Sequence, residues 1–275
     1  MMRGMFAAIS GLKSHQIMLD VTANDIANVN TIGYKSARTT FKDSLTQVQR
    51  GAAGPTAQNA GANAAQIGLG VQLGSIDNLM QSGALQSTGN PLDVAIQGDG
   101  FFRVGLGSPP AVPAQVEFTR AGNFTRNQAG YLTTQEGYYV VGRTEPGGAA
   151  DSLIQIPGDA SGVAIGQDGG VSYIPAGGGA RQTAGYLSLA TFANAAGLER
   201  TSGNRWAASV NSGVETTGTP GGTLGLTTAG AIEMSNVDLA QAFTTMITSQ
   251  RGFQANSRVI STSDEMLQDL VNLKR

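Results

Sequence analysis

Cysteine is absent from the 275-residue chain, and histidine occurs once, as His15. Without cysteine there can be no disulfides, no zinc thiolate sites and no thiol nucleophiles, and one histidine cannot form a two-histidine metal site. His15 stands between Leu12 and Leu19 in a helical pattern, so we interpret it as a packing residue. The sequence therefore predicts no catalytic residue, no metal and no cofactor.

Charge is also scarce: charged residues make up 13% of the chain, and the formal net charge is −2. The chain therefore lacks the basic surface that binds nucleic acid or anionic membranes. No run approaches about 18 consecutive apolar residues, and the N-terminus has no apolar core typical of a secretory signal. We expect no nucleic-acid partner and no small-molecule substrate, and any export would use a route without signal cleavage.

Apolar residues recur every seven positions near the C-terminus, in a stretch without proline over residues 236–274. The repeating residues are Leu239, Met246, Phe253, Ile260 and Leu267. This spacing predicts a long helix with a coiled-coil seam. Ser235 and Asp238 are predicted to form a capping box at its start. Lys274 and Arg275 follow at its C-terminal end, where the helix dipole favours cations.

Residues 3–29 are predicted to form a second helix with a matching seam. Its repeating residues are Met5, Leu12, Leu19 and Ile26. Gly4 and Gly11 each weaken a helix by about 1 kcal/mol relative to alanine, so this helix needs a partner. The companion positions beside the C-terminal seam are predicted to be polar: Gln250, Ser257 and Asp264. So narrow a seam buries little apolar area, and further copies of the chain are expected to supply the missing burial.

The middle of the chain has the pattern of short strands. Runs of apolar and aromatic residues alternate with glycine-containing turns such as residues 167–170. We predict an antiparallel β domain over 67–234, preceded by a connector over 34–66 that is irregular in its small, polar part, 46–66. The helices are assigned to residues 1–33 and 235–275. The predicted fold class is α+β, with terminal helices paired as a coiled coil and an inserted all-β domain.

Two other classes of protein fit these residues. One is a secreted adhesin or carbohydrate-active β protein, whose available carboxylates are Asp99, Glu117, Glu136, Asp159 and Asp168. Their spacing does not favour hydrolysis over solvated turn carboxylates. The other is a cytoplasmic coiled-coil scaffold. Three arginines of the β region, Arg120, Arg126 and Arg143, are predicted to lie on exposed strand ends.

Five motifs follow one another along nearly the whole chain. They are ANDIANVNTIGYK (23–35), DVAIQGDGFF (93–102), FTRAGNF (118–124), SNVDLA (235–240) and QRGFQANS (250–257). Together they resemble the bacterial flagellar axial proteins of the rod and hook. The residues that carry the terminal signatures of this family are Asn24, Asn28, Asn30, Gly33, Tyr34, Ser235, Asn236, Gln250, Arg251 and Asn256.

Within that family the chain is most similar to the hook branch, with the distal rod second. The resemblance implies a structural subunit, not an enzyme, that assembles with copies of itself into a hollow helical tube and transmits torque from rod to filament. It also implies passage through the flagellar export apparatus, and contacts with rod proteins, hook–filament junction proteins and the hook cap. The expected location is the extracellular hook, or the basal-body rod if the second branch applies.

Overall fold

A computed structural model describes residues 2–55, 60–148 and 150–273. The chain forms two compact units, each made from separate stretches of sequence. Unit 1 contains Met1–Ala27, Ala37–Asn78 and Asp238–Arg275, and unit 2 contains Asn28–Ser36 and Leu79–Val237. This division differs from the predicted boundaries, because residues 67–78 belong with the helices and residues 28–36 belong with the large β unit.

The helices predicted at both ends of the chain are present. α1 spans Met2–Ala27 and α2 spans Leu239–Asn272. Within the described residues, neither helix has an apolar stretch long enough to cross a bilayer. Lys274 and Arg275, which were predicted to complement the helix dipole, lie outside the described residues.

Asp238 caps the N-terminus of α2. Its Oδ1 accepts hydrogen bonds from the backbone N–H groups of Ala240 at 2.9 Å and Gln241 at 3.2 Å, which satisfies two amides that the helix leaves unpaired. The predicted capping role of Ser235 is wrong, since its Oγ accepts a hydrogen bond from the N–H of Val237 in the preceding turn. The observed cap therefore lies three residues after the predicted one.

The two helices pack along each other in unit 1 through small residues. A Cβ atom at Gly252 would lie 2.5 Å from Nε2 of His15, and a Cβ atom at Gly11 would lie 2.7 Å from Nδ2 of Asn256. Both glycines therefore occupy places where the helices approach closely. The fully buried helix positions are likewise small or polar: Ala8, Gly11, Ser14, Thr22, Asp25, Ser249 and Ser263.

The companion track of α2 lies one residue earlier than predicted. The predicted companions Gln250, Ser257 and Asp264 are exposed. The residues that take the inward positions are Ser249, Asn256 and Ser263, of which the two serines are buried. A helix returns to one face after three or four residues in alternation. On α2 each of these inward residues lies three positions after a seam residue, and each exposed companion lies four positions after one.

Unit 1 also contains four strands: β1 (Ala37–Asp43), β2 (Thr46–Arg50), β3 (Ala65–Gly68) and β4 (Val71–Asn78). β1 pairs with β4 and β2 pairs with β3, both antiparallel. The second pair contradicts the predicted irregular structure at both ends of residues 46–66, of which residues 56–59 lie outside the described residues. The sequence signal is weak because β2 and β3 are exposed throughout and have no buried face to alternate with.

Unit 2 consists of short strands, with a short 3-10 helix (Ala195–Gly197) before β17. The strands are β5 (Leu85–Ser87), β6 (Val94–Gln97), β7 (Phe101–Gly105), β8 (Val116–Thr119), β9 (Phe124–Arg126), β10 (Leu132–Thr134), β11 (Tyr139–Arg143), β12 (Asp151–Leu153), β13 (Ser161–Ile165), β14 (Gly170–Ile174), β15 (Gln182–Leu187), β16 (Leu189–Thr191), β17 (Glu199–Arg200), β18 (Arg205–Ala207), β19 (Thr216–Gly218), β20 (Leu226–Ala229) and β21 (Ala231–Glu233).

The largest sheet of unit 2 follows the strand order β13-β14-β15-β11-β7-β8-β18-β17, and β20 pairs with β6 and β21 with β5. All of these pairings are antiparallel. Two apolar clusters form the core, one around Phe102, Ile156 and Leu187 and the other around Phe118 and Trp206. The predicted α+β class, with terminal helices and a large antiparallel β domain, is confirmed.

Candidate functional site: a buried anchor and exposed apolar faces

Residues 28–36, which we call the signature segment, belong to unit 2. Gly33 in this segment has a φ of +66°, in the left-handed region that favours glycine. A Cβ atom at this position would also lie 2.6 Å from the backbone nitrogen of Ala121. The N–H of Gly33 donates to the carbonyl oxygen of Glu233 at 2.7 Å. Backbone conformation and close packing therefore both require glycine here.

Three charged side chains, Lys35, Arg120 and Glu233, form a buried charge cluster in which none is more than 2% exposed. Lys35 Nζ donates to Glu233 Oε1 at 2.6 Å, and Arg120 Nη1 donates to Glu233 Oε2 at 3.2 Å. The prediction that Arg120 lies on an exposed strand end is wrong. Buried charges are costly unless they are paired and hydrogen-bonded, and here one carboxylate binds both cations.

Two further hydrogen bonds reach this cluster. Lys35 Nζ also donates to the carbonyl oxygen of Gln81 at 2.7 Å, and the N–H of Gly83 donates to Glu233 Oε1 at 2.8 Å. Burial lowers the pKa of the Lys35 amine below its ordinary value of 10.5, against the opposing attraction of Glu233. The signature segment, residues 81–83 and β21 therefore meet at one buried carboxylate.

Tyr34 is buried beside this cluster and stacks with Arg200. The Arg200 guanidinium lies 4.8 Å from the centre of the Tyr34 ring and 4.9 Å from that of Trp206. Its Nη1 donates to the Tyr34 hydroxyl at 3.2 Å, and its Nη2 donates to the carbonyl oxygen of Lys35 at 2.6 Å. One arginine therefore holds both the side chain and the backbone of the signature segment.

Asn236, from the C-terminal signature, also binds the signature segment. Its Oδ1 accepts from the N–H of Ser36 at 2.8 Å, and its Nδ2 donates to the carbonyl oxygen of Leu79 at 2.8 Å. The predicted signature residues that the structure brings together in unit 2 are thus Gly33, Tyr34 and Asn236. Of the other signature residues, Asn24, Asn30, Gln250 and Arg251 are exposed, and Asn28, Ser235 and Asn256 are half-buried.

The predicted seam residues are only partly covered. Eight are half-buried: Met5, Leu12, Leu19, Ile26, Met246, Phe253, Ile260 and Leu267. Leu239 is exposed. A seam that is complete in one molecule would bury these side chains more fully, as coiled-coil knobs are buried.

Further apolar residues lie on the outer faces of the helices. On α2, Phe243 and Ile247 are each 50% exposed, and the uncovered residues of α1 and the rest of α2 include Met2, Phe6, Ile9, Val259, Met266 and Leu270. Sequence reasoning missed these faces because it followed one residue per heptad. The sequence did contain a signal for such a face: Leu239, Phe243 and Ile247 are spaced by four residues and therefore lie on one side of the helix. Contiguous exposed apolar surface marks a surface that another molecule covers.

The β2–β3 pair of unit 1 presents further uncovered apolar side chains. Leu45, Ile67 and Leu69 are exposed on one face of the pair and Val48 is exposed on the other, since Ile67 lies opposite Gln47 and Val48 lies opposite Gln66. An isolated two-stranded hairpin is at best marginally stable in water. A covering molecule would supply the burial that this pair lacks.

Two of the carboxylates considered for hydrolysis are engaged by one arginine. Glu117 Oε2 accepts from Arg205 Nε at 2.5 Å, and Glu136 accepts from Nη1 of the same guanidinium. Arg143, predicted to be exposed, is buried and donates to Thr217 Oγ1 at 2.6 Å, whereas Arg126 is exposed as predicted. Across the described residues, no three of His, Cys, Asp or Glu are grouped so as to hold a metal ion.

A packed β unit and paired terminal helices with uncovered apolar faces are features expected of a subunit that other molecules cover. Family profiles match successive parts of the chain: "Flagella basal body rod protein" over residues 5–35, "Flagellar hook protein FlgE/F/G D1 domain" over residues 95–173, and "Flagellar basal body rod FlgEFG protein C-terminal" over residues 228–273. The chain belongs to the flagellar rod and hook protein family, which is a family of structural proteins and not of enzymes.

Similar proteins include both branches of this family. The chain is 47% identical to the flagellar basal-body rod protein FlgG of Bacillus subtilis over 277 residues, with 100% of both chains covered. It is 36% identical to FlgG of Caulobacter vibrioides, over 99% of this chain and 100% of that one. To the flagellar hook protein FlgE of Borreliella burgdorferi it is 27% identical, and that alignment extends over 449 residues with 100% of both chains covered.

Proposed function

We propose that this protein is a subunit of the flagellar basal-body rod, at its distal part, and that it assembles with copies of itself into a hollow helical polymer. The rod relatives support this choice because they match from end to end over nearly the same number of residues. The hook relative aligns only with long insertions that this chain lacks. The hook branch, favoured by the motifs alone, therefore becomes the second candidate.

The observation that carries the proposal is the uncovered apolar surface of the terminal helices. Phe243 and Ile247 are half-exposed on α2 although nothing in their chemistry requires contact with water. Fully burying one such side chain is worth about 1.5–3 kcal/mol. A neighbouring copy that covers several of them would gain enough to drive assembly, because each copy presents the same set of residues again.

The coiled-coil seam belongs to the same proposal. The half-buried residues along α1 and α2 pack against each other within a copy and against helices of neighbouring copies, which completes their burial. The two inward serines are already hydrogen-bonded within α2. Ser249 Oγ already donates to the Thr245 carbonyl oxygen at 2.8 Å, and Ser263 Oγ donates to that of Val259 at 2.7 Å.

The remaining parts of the proposal concern partners and location. The polymer carries torque from the motor toward the filament, and its ends contact other axial proteins of the rod and hook; a contact with the hook cap or the junction proteins belongs to the hook alternative. The chain reaches its place through the flagellar export apparatus. These partners follow from the family, and no residue of this chain is assigned to any of them.

Electron microscopy of isolated basal bodies tests the proposal. In cells that carry an epitope-tagged copy as their only copy, gold label should mark a straight segment inside the outermost membrane. Label on a curved segment outside the cell would favour the hook. Label absent from the axial structure, with the protein soluble and monomeric, would overturn assembly altogether.

A further inference from the structure

Unit 2 presents two valines on a loop that hydrogen bonds tie to residues 194 and 197. Val210 is fully exposed and Val214 is 89% exposed, on the connection between β18 and β19. Ser209 Oγ donates to the Gly197 carbonyl oxygen at 2.5 Å, and Asn194 Nδ2 donates to the Asn211 carbonyl oxygen at 3.1 Å. We call Val210 and Val214 the valine knob. A loop fixed in this way loses little conformational entropy when a partner covers it.

The same unit has an open apolar hollow of about 470 Å³. Its walls include Leu92, Ile156, Ala160 and Val163, and its rim carries Asn90 and Arg126. Ile156 at its base is buried, and Leu92, Ala160 and Val163 are half-buried. The hollow is therefore mostly apolar, with one cation at the edge.

Parts of the knob and of the hollow lie on strands near opposite ends of one strand path, while the knob loop continues into β19 and Arg126 of the hollow lies on β9, both off that path. Val163 belongs to β13, the first strand of the order β13-β14-β15-β11-β7-β8-β18-β17, and the knob loop leaves β18 and is anchored at Gly197, just before β17. Their surroundings belong to different apolar clusters, one containing Ile156 and the other Leu198. Because the protruding and the receiving surfaces are different patches of one unit, the knob of each copy can enter the hollow of the next, and such a head-to-tail contact repeats in one direction.

The valine knob and the hollow also have charges of opposite sign beside them. Glu199 on β17 is exposed and lies next to the anchored loop, since it pairs with Ala207. Arg126 at the rim of the hollow is exposed, and its Nη1 donates to the Pro157 carbonyl oxygen at 3.0 Å. Opposite charges beside an apolar contact help to fix its register.

We propose that the valine knob of one copy seats in the Leu92–Val163 hollow of the next copy, with Glu199 facing Arg126 across the rim. The contact joins unit 2 of successive subunits and is separate from the helix faces of unit 1. It rests on the proposed function, since it requires that copies assemble, and it names the surfaces by which unit 2 takes part.

Cysteine cross-linking tests this contact without background, because the chain has no native cysteine. Full-length chains with Val210→Cys and Ala160→Cys together are produced as the only copy in cells, and isolated basal bodies are oxidised and run on non-reducing gels. A ladder of covalent multimers is expected. Val210→Cys alone, Ala160→Cys alone, and Val210→Cys with Gln135→Cys in the exposed β10–β11 turn should give no ladder.

The outcomes separate this contact from the proposed function. If the double variant assembles but gives no ladder, the proposed contact is wrong and the rod assignment is unaffected. Oxidation of the soluble monomeric double variant should give no internal cross-link; if it does, the knob reaches its own hollow and the proposal is wrong. Unmodified protein that never enters the axial structure overturns the proposed function, and this contact with it.

Substitutions in the valine knob and at Glu199 and Arg126 give a second test, in which the amount of assembled chain is measured. Val210→Asp should lower the amount of assembled chain by about tenfold or more while leaving the urea midpoint of the monomer unchanged, since the side chain is fully exposed. Glu199→Lys and Arg126→Glu should each lower assembly, and the two together should restore it. Unchanged assembly in Val210→Asp, or no rescue by the paired charge reversal, would count against the contact.

Discussion

Lys35 Nζ lies 2.6 Å from Glu233 Oε1, although 198 positions separate the two residues and neither side chain is exposed. This ion pair joins the start of the chain to the last strand of unit 2. It thereby fixes the signature segment, whose neighbours Gly33 and Tyr34 are held by independent contacts.

Glu233→Gln should destabilise unit 2 by about 3–5 kcal/mol, because two buried cations would lose their common counter-charge. Urea unfolding of the purified monomer, followed by Trp206 fluorescence, measures this loss. Glu199→Gln is the matched control: its carboxylate is exposed, and the change should stay within about 0.5 kcal/mol. Equal midpoints for the two variants would mean that the buried charge cluster contributes no net stability.

The lowered pKa of Lys35 predicts a pH dependence with a definite sign. Between that lowered pKa and 10.5 the unfolded chain binds one more proton than the folded chain, so the free energy of unfolding should rise with pH and level off above 10.5. Urea unfolding of the native protein and of Lys35→Met at several alkaline pH values isolates this contribution as their difference. A difference that falls with rising pH would show that attraction to Glu233 outweighs burial.

Gly252→Ala should destabilise unit 1 by about 1–3 kcal/mol, since the new Cβ would strike the His15 ring in a packed interface. Gly4→Ala is the control on α1, where a Cβ meets no atom within 4 Å; it should be neutral or stabilising by up to about 1 kcal/mol. Thermal unfolding monitored by helical circular dichroism compares them. Adding His15→Ala to Gly252→Ala should recover part of the loss, and additive losses would exclude a direct clash.

Phe243→Asp and Phe253→Asp should both abolish assembly but differ in the monomer. Phe243 is half-exposed on the outer face, so its replacement should leave helix stability within about 1 kcal/mol. Phe253 is half-buried on the seam, and an aspartate there should destabilise the helix pair while the β unit stays folded. Sedimentation of assembled chain and thermal unfolding of the monomer distinguish the two. Normal rods or hooks with either variant would contradict the proposed helix packing.

The β2–β3 pair should be protected only in the polymer. Its amides in the monomer should exchange with deuterium nearly as fast as in an unfolded chain, because both faces of the pair are exposed. Hydrogen exchange with mass spectrometry on monomer and polymer would measure the change. Exchange that stays fast in the polymer would mean that no neighbour covers this pair, whereas the β14–β15 strands should be protected in both.

The heptad positions predict the two helices because an apolar repeat of seven residues matches two helical turns and does not match the two-residue period of a strand. The turns of the central region likewise predict an antiparallel β unit. The inward companion track differs from the predicted one by one residue, since small and polar residues such as Ser249 and Ser263 carry no apolar signal. The pairing of Arg120 with Glu233 could not be predicted from the sequence, because a single charged residue gives no information about which distant residue it contacts. The outer helix faces escape a heptad pattern because Phe243 falls between the repeating positions.

The interleaving of the two units along the chain has a consequence for the order in which they can be completed. Unit 1 cannot close until α2, the last element, is available to α1, and unit 2 cannot bury Lys35 until Glu233 arrives 198 residues later. Native structure that depends on contacts so distant in sequence forms slowly. The entropy cost of closing long loops comes before the stabilisation from burial. A chain delivered N-terminus first therefore stays unfinished until nearly all of it has emerged, which delays the appearance of its assembly surfaces until the whole subunit is present.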